Sequence, residues 1–257
     1  MRKRKPTRTS SAKRKKDGDD RPLRIYGIHA VRAALDNPAR RLHRLHATQN
    51  GARDMAAAID ARQVPLVLQP PDKLAALLPA DAVHQGVILE TDPLPAPDLA
   101  EIAATGAPLV VLDQITDPRN VGAIVRAAAV FGAGGVLTTT RNAPTASGAM
   151  AKAASGALER VPLVEVANLA RALKSLADAG YLVVGLAEDG TESIGDITPT
   201  QPIACVMGAE DKGLRRLTRE NCGALARLPA TSDGFATLNV ATAAAVALYA
   251  LTRPDSR

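Results

Sequence analysis

The sequence predicts an α/β protein built of two unequal units, and three observations carry that reading. From about residue 107 onward, apolar runs of strand length alternate with helix-length segments, the pattern of a three-layer α/β domain with a parallel sheet. Two of the runs, 203–207 and 224–228, each end in a small, flexible loop, which is how α/β proteins build a ligand crevice at the carboxyl ends of their strands. The Pro-rich segment Asp92-Pro93-Leu94-Pro95-Ala96-Pro97 reads as a stiff linker and separates this domain from a smaller α/β unit before it. The expected division is a basic tail over 1–21, a first unit over 22–91, a linker over 92–106 and the larger domain over 107–257.

Composition bounds the rest. Hydrophobic residues make up 46% of the 257, enough for a core, while aromatics are 2% with no Trp. The core must therefore be Leu, Val, Ile and Ala. No apolar run reaches transmembrane length, and the charged N-terminus lacks the apolar centre of a secretory signal. Cys205 and Cys222 form no CxxC pair, so a disulfide-free cytoplasmic protein is expected. No His, Cys and carboxylate cluster has zinc-site spacing, and no metal is expected. Residues 1–21 hold ten Lys and Arg against three Asp, a charge of +7, while the whole chain carries +6. The high pI thus belongs to the tail. Such an arm binds nucleic acid through counterion release, or is simply a solvated disordered tail.

In the first unit, ordered sequence begins at Pro22. A helix is expected from Ile28 to about Asn37-Pro38, with Ala30, Val31, Ala34 and Leu35 on one face. A strand follows over 42–47, then a helix over 53–62, a strand over 65–68, a helix over 73–78 and a strand over 87–89. Arg40, Arg41, Arg44 and Arg53, with His43 and His46, form its most basic region. Arg fits phosphate bidentately, so this is either an RNA-contacting face or a solvated charged one.

A helix over 99–104 leads into the larger domain. Leu109 to Leu112 is a strand, and Asp113 to Arg119 a polar loop. Asn120 is expected to cap a helix over 121–131, since its side chain accepts an orphan helix N–H. A strand over 136–139 completes a βαβ unit. The small-residue segment 145–158 reads as helix, 163–166 as strand, and Asn168 as the cap of a helix running to Ala179. Tyr181 to Leu186 is a strong strand with a polar loop after it. Then come the strand 203–207, the loop Gly208-Ala209-Glu210-Asp211-Lys212-Gly213, a short basic helix over 214–221, the strand 224–228, a loop with Ser232, Asp233 and Gly234, and an Ala-rich helix opened by Thr237-Leu238-Asn239.

Arg126 stands among Ala123, Ala127, Ala128 and Ala129. A guanidinium buried there needs a partner, either a carboxylate such as Glu210 or a substrate phosphate. Gly208 and Gly213 bracket a loop whose backbone a flat ligand can approach closely. There is no GxGxxG after any strand, no GxxxxGK[ST], no GxSxG and no HExxH.

Three blocks in order resemble the SpoU/TrmH class of RNA 2′-O-ribose methyltransferases, within the SPOUT superfamily: Asp117 through Ala128, Val206 through Leu214, and Leu228-Pro229 through Ala243. Tyr26 through Val31 and His84-Gln85-Gly86-Val87 are similar to the substrate-binding domain of the RlmB branch, which methylates a guanosine of 23S rRNA. The resemblance covers residues 23 to 252. It implies a C-terminal SPOUT domain with a parallel sheet and a deep trefoil knot, and a small N-terminal unit of ribosomal-protein-L30e type. It implies S-adenosylmethionine as cofactor, contacted by Gly208, Leu228 and Leu238, and a homodimer with the active site near the subunit interface. It places Asn120, Arg126, Glu210 and Asn239 at the catalytic site with a hydroxyl residue, normally the Ser of a Ser-Leu-Asn run and here Thr237. The stretch from Pro229 to Thr237 is about one residue longer than the family pattern.

The reading that follows is an S-adenosylmethionine-dependent guanosine-2′-O-methyltransferase of 23S rRNA, partnered by that RNA before or during large-subunit assembly, with no membrane partner. A tRNA 2′-O-methyltransferase and a non-catalytic RNA-binding assembly factor are the alternatives. The presence of Asn120, Arg126, Glu210 and Asn239 favours an enzyme, because a pure binder has no need of them.

Overall fold

The computed structural model describes residues 22–141, 147–229 and 238–252. The N-terminal unit is a four-stranded sheet ordered β1-β4-β2-β3, from β1 (Leu23–Tyr26), β2 (Leu42–Ala47), β3 (Leu66–Leu68) and β4 (Val87–Thr91). Only the β2–β3 pair is parallel. Helix α1 (Ile28–Asp36) buries Ala30, Val31, Ala34 and Leu35, the face its spacing predicts. The single helix expected over 53–62 is two, α2 (Gln49–Asp54) and α3 (Ala56–Arg62), broken at Met55. Thr48 starts the first by accepting from Gly51 N–H. The next helix, α4, is Pro71–Ala75, with Pro71 supplying the preset φ of a first helical position. Helix α5 (Leu99–Ala103) follows the linker under a capping box between Asp98 and Glu101.

The larger unit is a seven-stranded, wholly parallel sheet ordered β7-β6-β5-β10-β8-β11-β9. Its strands are β5 (Leu109–Asp113), β6 (Gly135–Thr139), β7 (Leu163–Val166), β8 (Leu182–Leu186), β9 (Glu192–Ser193), β10 (Ile203–Gly208) and β11 (Ala224–Arg227). The two-residue β9 follows the polar loop after β8, where the sequence reading assigns no strand. Strand residues alternate between two cores. Val110, Leu112, Cys205 and Met207 face α6 (Pro118–Val130), α7 (Gly148–Ala154) and α10 (Val240–Thr252). Leu109, Val111, Ala204 and Val206 face α5 and α8 (Leu169–Asp178). This is the three-layer arrangement. A short α9 (Arg216–Glu220) joins β10 to β11. Asn168 caps α8 as expected, accepting from Arg171 N–H. Among the described residues no helix is long and apolar enough to cross a membrane.

Two further helix boundaries differ from expectation in ways that bear on the site and on the joining of the units, besides shorter shifts at α4 and α9. Helix α6 starts at Pro118, not Val121, and its cap is Asp117, whose carboxylate accepts from Arg119 N–H at 2.8 Å. Asn120 is therefore the third helical residue, and its side chain is released from capping. The helix expected over 145–158 ends at Ala154, where Ser155 turns left-handed at φ 52°, and a 3-10 turn over Ala157–Glu159 follows.

The two units are joined through α7. Ala151 belongs to the core of the N-terminal unit. Arg40 and Glu159 form an ion pair with side chains only 3% and 7% exposed, and Asn37 donates to the same carboxylate at 2.7 Å.

Candidate active site

The site lies at the carboxyl ends of β5, β10 and β11, where parallel strands point their loops the same way. Gly208 ends β10 abreast of Asp113 on β5. The chain then doubles back at once, with Ala209 bridging Gly213 and Gly213 N–H donating to the Ala209 carbonyl at 2.8 Å. A Cβ at position 208 would sit 2.3 Å from the Gly213 carbonyl carbon, so only glycine fits there. Gly213 itself holds φ at 59°, in the left-handed region.

This loop carries Glu210 across to the start of α10. Its carboxylate accepts from Val240 N–H at 3.0 Å and from the Asn239 amide at 2.9 Å. A carboxylate at a helix N-terminus satisfies orphan N–H groups and meets the positive end of the helix dipole. Asn239 accepts from Ala241 N–H at 3.0 Å and donates to the Asn120 side-chain oxygen at 3.1 Å. Loop, α10 and the first turn of α6 thus meet at one three-residue network. Among the described residues the Asn120 amide donates to no partner.

Arg126 corrects one expectation. It is exposed, and among the described residues it pairs with no carboxylate. Glu210 is occupied by α10 instead. An exposed guanidinium is solvated and needs no protein partner. Arg126 stands six residues beyond Asn120 on α6, about 9 Å along the helix axis.

Gly208 and Leu228, at the ends of β10 and β11, are separated in the sheet only by β8. Leu228 is partly buried against the core, and Leu238 is 50% exposed just before α10. Main-chain groups and apolar side chains of this kind suit a flat adenine. Thr237, the expected hydroxyl residue, lies outside the described residues, as do the basic tail and the loop over 230–236.

Sequence reasoning missed two features. One is Asp113, fully buried, which accepts from Arg215 N–H at 2.9 Å and from Arg215 Nε at 2.6 Å. The signal was present: a carboxylate ending an otherwise wholly apolar strand. The other is the loop after β8, held by the bidentate Arg219–Asp189 pair at 2.9 and 2.8 Å and by Arg227 donating to the Gly190 carbonyl. The hydrogen bonds from Arg219 hold the Asp189 carboxyl below the usual carboxylate range. The basic region of the N-terminal unit also divides. Arg41, Arg44 and Arg53 are exposed, whereas Arg40 and His46 are buried and His43 lies 2.7 Å from Asp92. Among the described residues no group of three His, Cys, Asp or Glu could hold a metal ion.

A parallel α/β domain whose strand-end loops are tied together by an Asn–Glu–Asn network has the architecture on which open α/β sheets bind ligands. Comparison with known proteins narrows the class. Residues 107–249 match the SpoU rRNA Methylase family, and residues 24–97 match the RNA 2′-O ribose methyltransferase substrate-binding family. A 23S rRNA (guanosine-2′-O-)-methyltransferase RlmB of Pseudomonas putida is 35% identical over 240 residues, 90% of this chain and 96% of the relative. One from a Burkholderia species is 38% identical over 244 residues, 89% and 95% of the two chains. Among solved structures, the SpoU methyltransferase AviRb of Streptomyces viridochromogenes, in complex with the cofactor AdoMet, superposes with a TM-score of 0.76 at 24% identity, covering 91% of this chain and 90% of that one. The chain belongs to the SpoU rRNA methylase family.

Proposed function

We propose that the protein transfers the methyl group of S-adenosylmethionine (AdoMet) to the ribose 2′-OH of a guanosine in 23S rRNA, in the cytoplasm, before or during large-subunit assembly. The observation that carries this is the Asn120–Asn239–Glu210 network beside Gly208, in a chain similar to rRNA guanosine-2′-O-methyltransferases over nine-tenths of its length. When bound, AdoMet supplies a methyl group on a sulfonium, already a good electrophile.

The protein's own task is alignment. The residues around Gly208, Leu228 and Leu238 would hold the cofactor through backbone and apolar contact. Arg126, exposed and without a carboxylate partner among the described residues, would hold the substrate phosphate and polarise the 2′-OH. A guanidinium has no lone pair to accept a proton, so the hydroxyl proton leaves to water or a neighbouring group. The Asn120 amide offers a second donor near the ribose, and Thr237 would supply the hydroxyl of the family pattern. The acceptor hydroxyl makes the substrate RNA rather than DNA.

The two separate sheets support a division into an RNA substrate-binding unit over 22–91, a linker over 92–106 and a methyltransferase domain over 107–257. The placement of β10 between β5 and β8, both earlier in the chain, supports the trefoil knot that the resemblance implies. A homodimer is supported by apolar residues left exposed on α6 and α10.

Arg126→Ala tests the assignment. Methylation of 23S rRNA transcripts should fall by about a hundredfold or more, because the acceptor is no longer aligned. AdoMet affinity by calorimetry should stay near that of the wild type. Substantial turnover in this variant would remove Arg126 from the reaction, and ribose methylation mapped to tRNA rather than rRNA would reassign the substrate.

A further inference from the structure

We infer that Asp113 is a positioning residue for the cofactor loop, acting through Arg215; the inference rests on the AdoMet reading above. Asp113 is fully buried at the carboxyl end of β5, directly abreast of Gly208 in the sheet. Both of its oxygens are committed to one residue, Oδ2 to Arg215 N–H at 2.9 Å and Oδ1 to Arg215 Nε at 2.6 Å. Arg215 is the second residue after the loop Gly208–Gly213. The carboxylate therefore ties the far end of the loop to the strand beside its near end.

That closure explains why the loop is so tight. The Ala209–Gly213 bridge and the contact of Gly213 with Gly208 both need the two loop ends held together. Arg215 precedes α9 with extended backbone (ψ 151°), and Asp113 supplies the acceptor for its N–H. Two charge-assisted hydrogen bonds from one buried carboxylate are strong and directional. A second consequence reaches the catalytic network. Glu210 sits inside the tied loop, and its carboxylate orients Asn239, which orients Asn120. Asp113 touches neither the cofactor nor the ribose in this scheme. It fixes the main chain that does.

Asp113→Asn keeps shape but offers an amide donor where Arg215 also donates, so one of the two bonds is lost. The expected result is an AdoMet dissociation constant and KM raised on the order of tenfold, with kcat at saturating AdoMet falling far less than KM rises. A role confined to stability would instead lower the melting temperature and the active fraction while leaving both constants at wild-type values. Arg215→Gln, which keeps the main-chain N–H bond and removes the guanidinium, should shift affinity in the same direction by a smaller factor, and it decides the matter if Asp113→Asn does not fold. Wild-type affinity and KM in the folded variants would overturn the inference. Absence of AdoMet binding to the wild-type protein would instead overturn the reading on which it rests.

Discussion

At the scale of single residues, the site is organised by which polar atoms are already spoken for. Glu210 and the Asn239 side-chain oxygen are consumed by the start of α10, leaving the Asn120 amide and Arg126 uncommitted among the described residues. The same accounting makes the cysteines inert. Burial pushes the Cys205 thiol up to about 12 and the Cys222 thiol to about 11, so neither is a thiolate at neutral pH. Burial also raises Tyr26 and Tyr181 above their ordinary 10.0. All four groups hold their protons more tightly when folded than when unfolded. Their contribution to stability is complete below the unfolded values, near 9.0 for Cys and 10.0 for Tyr, and is lost as pH rises through the folded ones. The urea midpoint should therefore fall between pH 8.5 and about 11, and native protein at pH 7.5 should resist iodoacetamide at both thiols until denatured. A midpoint that climbs across this range, or rapid labelling of Cys205 in the native state, would contradict the burial argument.

At the scale of elements, α6 joins the site to the rest of the fold. Its first turn carries Asn120, and its flank packs on α7 at Gly122. A Cβ on Gly122 would lie 2.4 Å from the Met150 carbonyl oxygen and 2.8 Å from Ala153 Cβ. Gly122→Ala gains about 1 kcal/mol of helix propensity. It also forces α7 away from a backbone contact that no rotamer change relieves, an overpacking cost of about 1–3 kcal/mol. The expected net effect is destabilisation, read as a lower urea midpoint, with loss of activity as the first turn of α6 shifts. A more stable variant would show that α7 yields freely. The elements themselves were largely legible, because long apolar runs such as 109–112 and 203–207 read as strands without ambiguity. The errors cluster where local chemistry decides. Asp117-Pro118 starts α6 three residues before Asn120 suggested, and Ser155 ends α7 early by adopting a left-handed turn. The meeting of Asn120, Glu210 and Asn239 was legible through the motif blocks. Asp113 was not, because its partner lies 102 residues away and only the pairing of β5 with β10 brings them together. Arg126 was misread as buried because Ala123, Ala127, Ala128 and Ala129 stand around it, yet small neighbours on a helix are compatible with an exposed face.

At the scale of the molecule, the buried Arg40–Glu159 pair and the entry of Ala151 into the N-terminal core hold the N-terminal unit against the larger one at a set offset. The helix layer of α6 and α10 leaves several apolar side chains exposed. Val130 is 72% exposed, Tyr249 57% and Val246 45%, and Tyr249 stands edge-on to Phe131 with ring centroids 6.2 Å apart. Val246 and Tyr249 are three residues apart on α10 and share a face. The chain has only two Phe and three Tyr, and two of these five rings stand in this patch. Such a cluster on two packed helices is the surface expected of a subunit interface. Sedimentation should find wild-type protein at about twice the 26.7 kDa chain mass. Tyr249→Asp puts an unpaired charge at the centre of the patch and should weaken association by about 2–4 kcal/mol, enough to yield monomers at micromolar concentration. Tyr249→Phe, which keeps the ring, should remain dimeric. Because the family pattern sets the active site near the subunit interface, the monomeric variant should also lose methyl transfer while its melting transition stays cooperative. A wild-type protein that sediments as a monomer would leave this patch without a partner and refute the assignment.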